Sequence, residues 1–168
     1  MTPGPRVALH ALCFTALLVL AGCSAVFSVG AAEAVDFSTL VRAETPNQYL
    51  LCPAKLCDAG EPDQFSPTFE TSAANLRRAW DDVAKAEPRT ERLGVFLEGR
   101  QVVDVQRSAV FRFPDVITAE FIQIDEQRAT LAIYSRSVYG RSDFGVNGKR
   151  VTRWLADLAV ALEDRTNR

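Results

Sequence analysis

Histidine and methionine are almost missing from this chain, with His10 and Met1 the sole examples. Both fall within residues 1–22, a segment expected to be removed. The mature chain then has no imidazole, which excludes Ser-His-Asp and Cys-His catalysis and histidine-ligated zinc. Loss of Met1 also removes any thioether metal ligand. A strong charge of either sign is missing too. The formal net charge is −2, and loss of Arg6 makes the mature chain one unit more negative. That balance leaves no electrostatic footprint for nucleic acid. There is no internal repeat, no low-complexity tract and no motif that calls for a cofactor. Gly148-Lys149 is not a phosphate-binding P-loop. Asp143 stands where the motif needs its first glycine, and Arg150 where it needs Ser or Thr for Mg²⁺. What is present is ordinary for a folded domain. Hydrophobic residues make up 48% and charged residues 24% of 168 positions, which suits one globular domain plus a targeting segment.

The targeting segment is the clearest feature. One arginine precedes an apolar run from Val7 to Leu20, followed by small residues at Ala21 and Gly22. A secretory signal has an apolar stretch of ~7–15 residues, whereas a spanning helix needs ~20. The run can be extended to Val29, so an uncleaved anchor is the rival reading. Leu20-Ala21-Gly22-Cys23 resembles a bacterial lipobox, in which the cysteine is lipidated and becomes the new N-terminus. The expected organisation is a lipoprotein signal peptide over 1–22, a lipidated tether over 23–35 and one domain over 36–168. The membrane, through lipid on Cys23, is the expected partner; a protein or small-ligand partner is not specified. Ser24 resembles the sorting residue that favours the outer membrane, facing the periplasm. The small residues from Ser24 to Ala34 read as a flexible tether of at most ~35 Å.

After cleavage Cys23, Cys52 and Cys57 remain. With lipid on Cys23, Cys52 and Cys57 form the free pair, and an oxidising compartment is expected to close it. The loop Cys52-Pro53-Ala54-Lys55-Leu56-Cys57 has four intervening residues, against two in the usual redox dithiol. A zinc site would need two more soft ligands that the mature chain does not supply.

The predicted fold class is α+β: an antiparallel four-stranded meander flanked by an N-terminal and a C-terminal helix (α-β-β-β-β-α), after a loop-rich, disulfide-closed segment. Prolines 46, 53, 62 and 67 punctuate that segment, with a short strand near residues 49–51. Thr71 or Ser72 reads as an N-cap. Leu76, Ala79, Trp80, Val83 and Ala84 form one helical face, ended by Pro88. Strands are expected over 93–98, 101–113, 116–124 and 130–138. In the second, Val103, Val105, Ala109, Phe111 and Phe113 alternate with Asp104, Gln106 and Ser108. Val151, Trp154, Leu155, Leu158 and Leu162 make the stripe of the last helix. Asp81 and Asp82 read as solvated, and Asp104 as a carboxylate without an evident partner.

The densest polar stretch runs from Tyr134 to Arg150. Ser135, Arg136, Arg141, Ser142, Asp143, Asn147 and Arg150 form a candidate anion or ligand loop. A strand-to-helix turn aims backbone N–H groups at one spot, and arginines add bidentate contacts to carboxylate or phosphate. The same residues have a purely structural reading. Asp143 or Asn147 caps the helix, Gly140 and Gly145 allow tight backbone angles, and the arginines pair with Asp115 and Asp143.

Several segments resemble a known family, domain of unknown function 1499. They are Asp36-Phe37-Ser38-Thr39-Leu40, Pro46-Asn47-Gln48-Tyr49-Leu50 with Cys52-Pro53, and Gln106-Arg107-Ser108 leading to Phe113-Pro114-Asp115. The longest is Tyr134-Ser135-Arg136-Ser137 through Gly140-Arg141-Ser142-Asp143-Phe144-Gly145-Val146-Asn147 to Arg150-Val151, then Trp154-Leu155. The resemblance covers residues 36 to about 162. It implies no reaction, cofactor or catalytic residue, but it places the polar loop within a shared pattern. Three functional expectations stand beside one another. They are a lipid-anchored, non-catalytic binding module, an envelope enzyme using carboxylate and arginine chemistry at the loop, and a structural envelope protein. No catalytic residue and no metal ligand is assigned.

Overall fold

The computed structural model describes residues 27–166. The expected signal peptide, His10, Cys23 and Ser24 lie outside the described residues. The strands are β1 (Gln48–Cys52), β2 (Gln64–Phe65), β3 (Thr90–Phe96), β4 (Gln101–Arg107), β5 (Pro114–Gln123) and β6 (Ala129–Ser137); the helices are α1 (Ala73–Ala86) and α2 (Val146–Thr166).

Ser72 caps α1 as expected, its hydroxyl accepting from the Asn75 N–H at 3.2 Å. The buried face of α1 is the expected one: Leu76, Ala79, Trp80, Val83 and Ala84. The α2 stripe buries Val151, Trp154 and Leu158. Both helices pack on one face of the sheet. There Trp80 meets Trp154 edge-on with ring centroids 5.2 Å apart, over Ile117, Phe121, Leu131 and Ile133. A buried side chain of this size stabilises by about 1.5–3 kcal/mol, so this layer dominates the packing.

Strands β3 to β6 form the predicted antiparallel meander. The sheet is wider than expected, however. It has six strands in the order β2-β1-β6-β5-β4-β3, not four. β1 joins β6 antiparallel, and β2 joins β1 in parallel. The prolines flank β1 without interrupting it, which leaves its N–H groups free to pair. β2 is too short to show any periodicity. A disulfide joins Cys52 at the end of β1 to Cys57, with Cα atoms 6.2 Å apart.

The predicted strand 101–113 is also corrected. β4 stops at Arg107, and 108–113 closes into a loop held by Ser108, whose N–H donates to the Phe113 carbonyl at 2.9 Å. Its hydroxyl accepts from the Phe113 N–H at 2.9 Å. Phe111 and Phe113 are exposed, not core. Within β4 both faces are buried from Gln101 to Gln106, because the sheet is covered on both sides.

The second cover is residues 27–42. Phe37 packs with Leu50, Cys52, Cys57, Ala132 and Tyr134, under Val35 and Leu40. The Gln101 amide accepts from the Val35 N–H and donates to its carbonyl, each at 2.7 Å. Upstream, the Ser28 carbonyl accepts from the Tyr139 hydroxyl at 2.8 Å. Residues 27–35, expected to be slack, are thus held on the sheet. The cause is a buried glutamine amide whose hydrogen-bonding capacity a backbone segment satisfies. Among the described residues no helix is long and apolar enough to cross a membrane.

Candidate functional site

The polar loop sits where β6 ends and α2 begins. The seven residues singled out from sequence separate into three groups. Ser135, Asp143, Asn147 and Arg150 come together. Arg136 lies on the opposite sheet face, where it lines a pocket beneath residues 29–35. Arg141 and Ser142 stand exposed in the turn.

Arg150 organises the first group. Its Nε donates to Gln106 Oε1 at 2.7 Å, and Nη2 to Asp115 Oδ2 at 2.5 Å. Nη1 donates to Ser135 Oγ at 3.0 Å and to Asn147 Oδ1 at 2.6 Å. Ser135 donates its own proton to Asn147 Oδ1 at 2.6 Å. The Asn147 amide nitrogen lies 3.0 Å from the Asn47 carbonyl, 3.1 Å from Ser137 Oγ and 2.8 Å from Asp143 Oδ2. Asp143 caps the helix, accepting from the Gly145 and Asn147 N–H groups at 3.0 and 2.7 Å. Gly140 and Gly145 take φ of +88° and +76°, the left-handed values that glycine allows cheaply.

These contacts are the ones the structural reading of the loop calls for in this group. Arg150 is 4% exposed, and each of its three guanidinium nitrogens donates to protein. The network locks α2 and the turn onto β4, β5 and β6. Sequence reasoning offered the Arg–Asp115 pairing but missed Gln106, Asn47 and Ser137. Gln106 is separated from Arg150 by 44 residues, so no local pattern announces it.

A second buried carboxylate, read from the sequence as lacking an evident partner, has two. Asp104 accepts from Trp80 Nε1 at 3.1 Å and Arg92 Nε at 2.5 Å. Burial pushes its carboxyl above the ordinary value of 3.8, against the opposing pull of Arg92 and Trp80. Asp81 is not simply solvated, since it bridges Arg77 and Arg92. Among the described residues no group of three or more His, Cys, Asp or Glu could hold a metal ion.

Beside the polar network a groove of about 400 Å³ opens between the 108–113 loop and the 138–146 turn. Its walls include Phe111, Phe113, Tyr139, Phe144 and Val146. The Phe27 ring packs at its edge, with centroids 4.7 Å from Phe113 and 5.2 Å from Tyr139. The sequence signal for this groove was the apolar alternation through Phe113, which is genuine but belongs to a loop.

Residues 36–158 match the family model described as Protein of unknown function (DUF1499). No curated protein matches the chain, and no solved structure matches it.

Proposed function

This chain belongs to the DUF1499 family, and on that premise we propose that it is a lipid-anchored cell-envelope protein that binds and does not catalyse. The lipobox-like Leu20-Ala21-Gly22-Cys23 at the end of an apolar run supports the anchor. The spent hydrogen-bonding capacity of Ser135, Asp143, Asn147 and Arg150 supports the absence of catalysis at that loop. Groups that hold one another in a buried web are poorly placed to bind and release an anion. The contact surface is the end of the sheet beside that web, where the apolar groove opens. Its polar neighbours position the walls.

Intact mass and membrane fractionation of the protein made in a Gram-negative host test the reading. The expected chain starts at Cys23, carries lipid, sediments with outer membranes, and is released by Cys23→Ser. A mature chain without lipid overturns the anchoring. Turnover of an envelope-derived substrate, abolished by Arg141→Ala with the fold intact, overturns the non-catalytic part.

A further inference from the structure

Six of the twelve large exposed apolar residues among the described residues gather at one end of the sheet, while Val41, Phe65, Val95, Leu97, Ile124 and Val160 lie elsewhere. Val110, Phe111 and Phe113 lie on the 108–113 loop, and Tyr139, Phe144 and Val146 on or beside the 138–146 turn. The register Asp115↔Ser137 puts both at one end of the sheet. Val110 is 79% exposed, Phe111 68% and Phe144 89%. Large exposed apolar clusters mark contact surfaces.

Charge divides along the same axis. At this end Arg89, Arg112 and Arg141 are exposed, and among the described residues neither Arg112 nor Arg141 has an ion-pair partner. Of the acids nearby, Asp115 is engaged with Arg150 and Asp143 with helix N–H groups, while Glu44 and Glu91 are exposed. The opposite end reverses this. Glu70, Glu98 and Glu126 are exposed there, while Arg100 and Arg128 pair with Glu120 and Asp125. A chain of net −2 therefore presents a basic, aromatic end and an acidic end.

Phe27 fixes which end faces the anchor. Its ring is packed on Phe113 and Tyr139, and its carbonyl accepts from Arg107 Nη1 at 2.9 Å. Phe27 lies four positions after Cys23, a reach of at most ~14 Å.

We infer that this end of the sheet docks on the surface of an anionic phospholipid bilayer, a step that rests on the anchored reading above. Phe111 and Phe144 enter the interface, where aromatic rings are favoured. Arg112 and Arg141 meet lipid phosphates, and the acidic end points away. The lipid on Cys23 then does more than tether. It holds one particular face of the domain against the membrane.

The test uses the mature protein in vesicles of phosphatidylethanolamine and phosphatidylglycerol. With Cys23 acylated and Cys52–Cys57 closed, Phe144→Cys or Val160→Cys offers one thiol for a spin label. Val160 is an exposed control toward the far end of α2. Docking predicts that the label at 144 is relaxed by oxygen and shielded from a water-soluble nickel chelate, with the reverse at 160. Equal aqueous behaviour at both overturns docking but leaves the anchor standing, since intact mass reports the lipid separately. A label at 144 shielded from both agents and cross-linking to protein overturns it too, in favour of a protein partner. If intact mass shows no lipid, the anchored reading fails and co-sedimentation of the chain with the same vesicles decides docking. Binding that Arg112→Glu with Arg141→Glu weakens about tenfold or more sustains it; no binding by the unaltered chain overturns it.

Discussion

Arg150 of α2 and Asp115 of β5 form a buried ion pair, Nη2 to Oδ2 at 2.5 Å, with side chains 5% and 11% exposed. Such a pair is costly to desolvate and is sustained by the further bonds to Gln106, Ser135 and Asn147. Removing one partner leaves a buried charge alone. Arg150→Ala should therefore cost about 3–5 kcal/mol of stability. Arg150→Lys should recover only part, because a point charge cannot reproduce the planar fork. Urea unfolding of the three proteins measures this. Unchanged stability of Arg150→Ala would show that the web is not what holds α2 in place.

Two carboxylates should give stability opposite dependences on pH. Burial raises Glu87, but hydrogen bonds from Arg153 and Gln106 outweigh it and hold the group below its ordinary 4.5. Its contribution is present above the unfolded value and is lost as pH falls through the folded one. Asp104 is raised above 3.8 by burial. Its contribution is present below the unfolded value and is lost as pH rises through the folded one. Glu87→Gln should thus flatten the acid side of the stability profile. Asp104→Asn should gain on the parent protein as pH rises from below 4 toward neutrality. Urea midpoints between pH 3 and 7 read both, and the same sign of change for the two variants would contradict the assignment.

Much of the scaffold was legible because its signals are local. The α1 and α2 stripes and the Ser72 cap need only near neighbours in the chain, and so do the turns at 99–100 and 125–128. What escaped depends on distant residues. The alternation that ends β4 at Arg107 continues through Phe113, and only the Ser108–Phe113 hydrogen bonds divide strand from loop. Asp104 finds its indole partner 24 residues away. Gly148 was read only as a failed phosphate motif. Its place is explained by Tyr49, whose ring carbon would lie 3.0 Å from any added Cβ. In the loop, both readings invoked the same residue types. Burial alone separates Arg150, which the fold consumes, from Arg141, which it leaves at the surface.

The Cys52–Cys57 bridge closes a short loop at the end of β1. Restricting so short a loop in the unfolded chain stabilises by roughly 2 kcal/mol. Cys52→Ala with Cys57→Ala should lower the urea midpoint by that amount. Both side chains are fully buried in the second core, so hydrogen exchange should rise first in β1 and residues 53–63. Unaltered exchange there would mean that core packing alone holds the segment.

Gln101 decides whether residues 27–35 stay on the sheet. Its side chain is fully buried, yet its amide makes three contacts. Two are the reciprocal 2.7 Å bonds with the Val35 backbone, and one runs from Nε2 to Glu120 at 3.0 Å. Leucine has similar volume and no polar atom, so Gln101→Leu keeps the packing while orphaning the Val35 N–H and carbonyl. An unsatisfied buried polar group costs about 1–3 kcal/mol. Leaving the sheet lets those groups bond to water and avoids that cost. The expected result is rapid amide exchange and early proteolytic cleavage over residues 27–35, with α1 and α2 as protected as before. Protection at Val35 equal to that of the parent would mean that Phe37 and Leu40 hold the segment down by apolar contact alone.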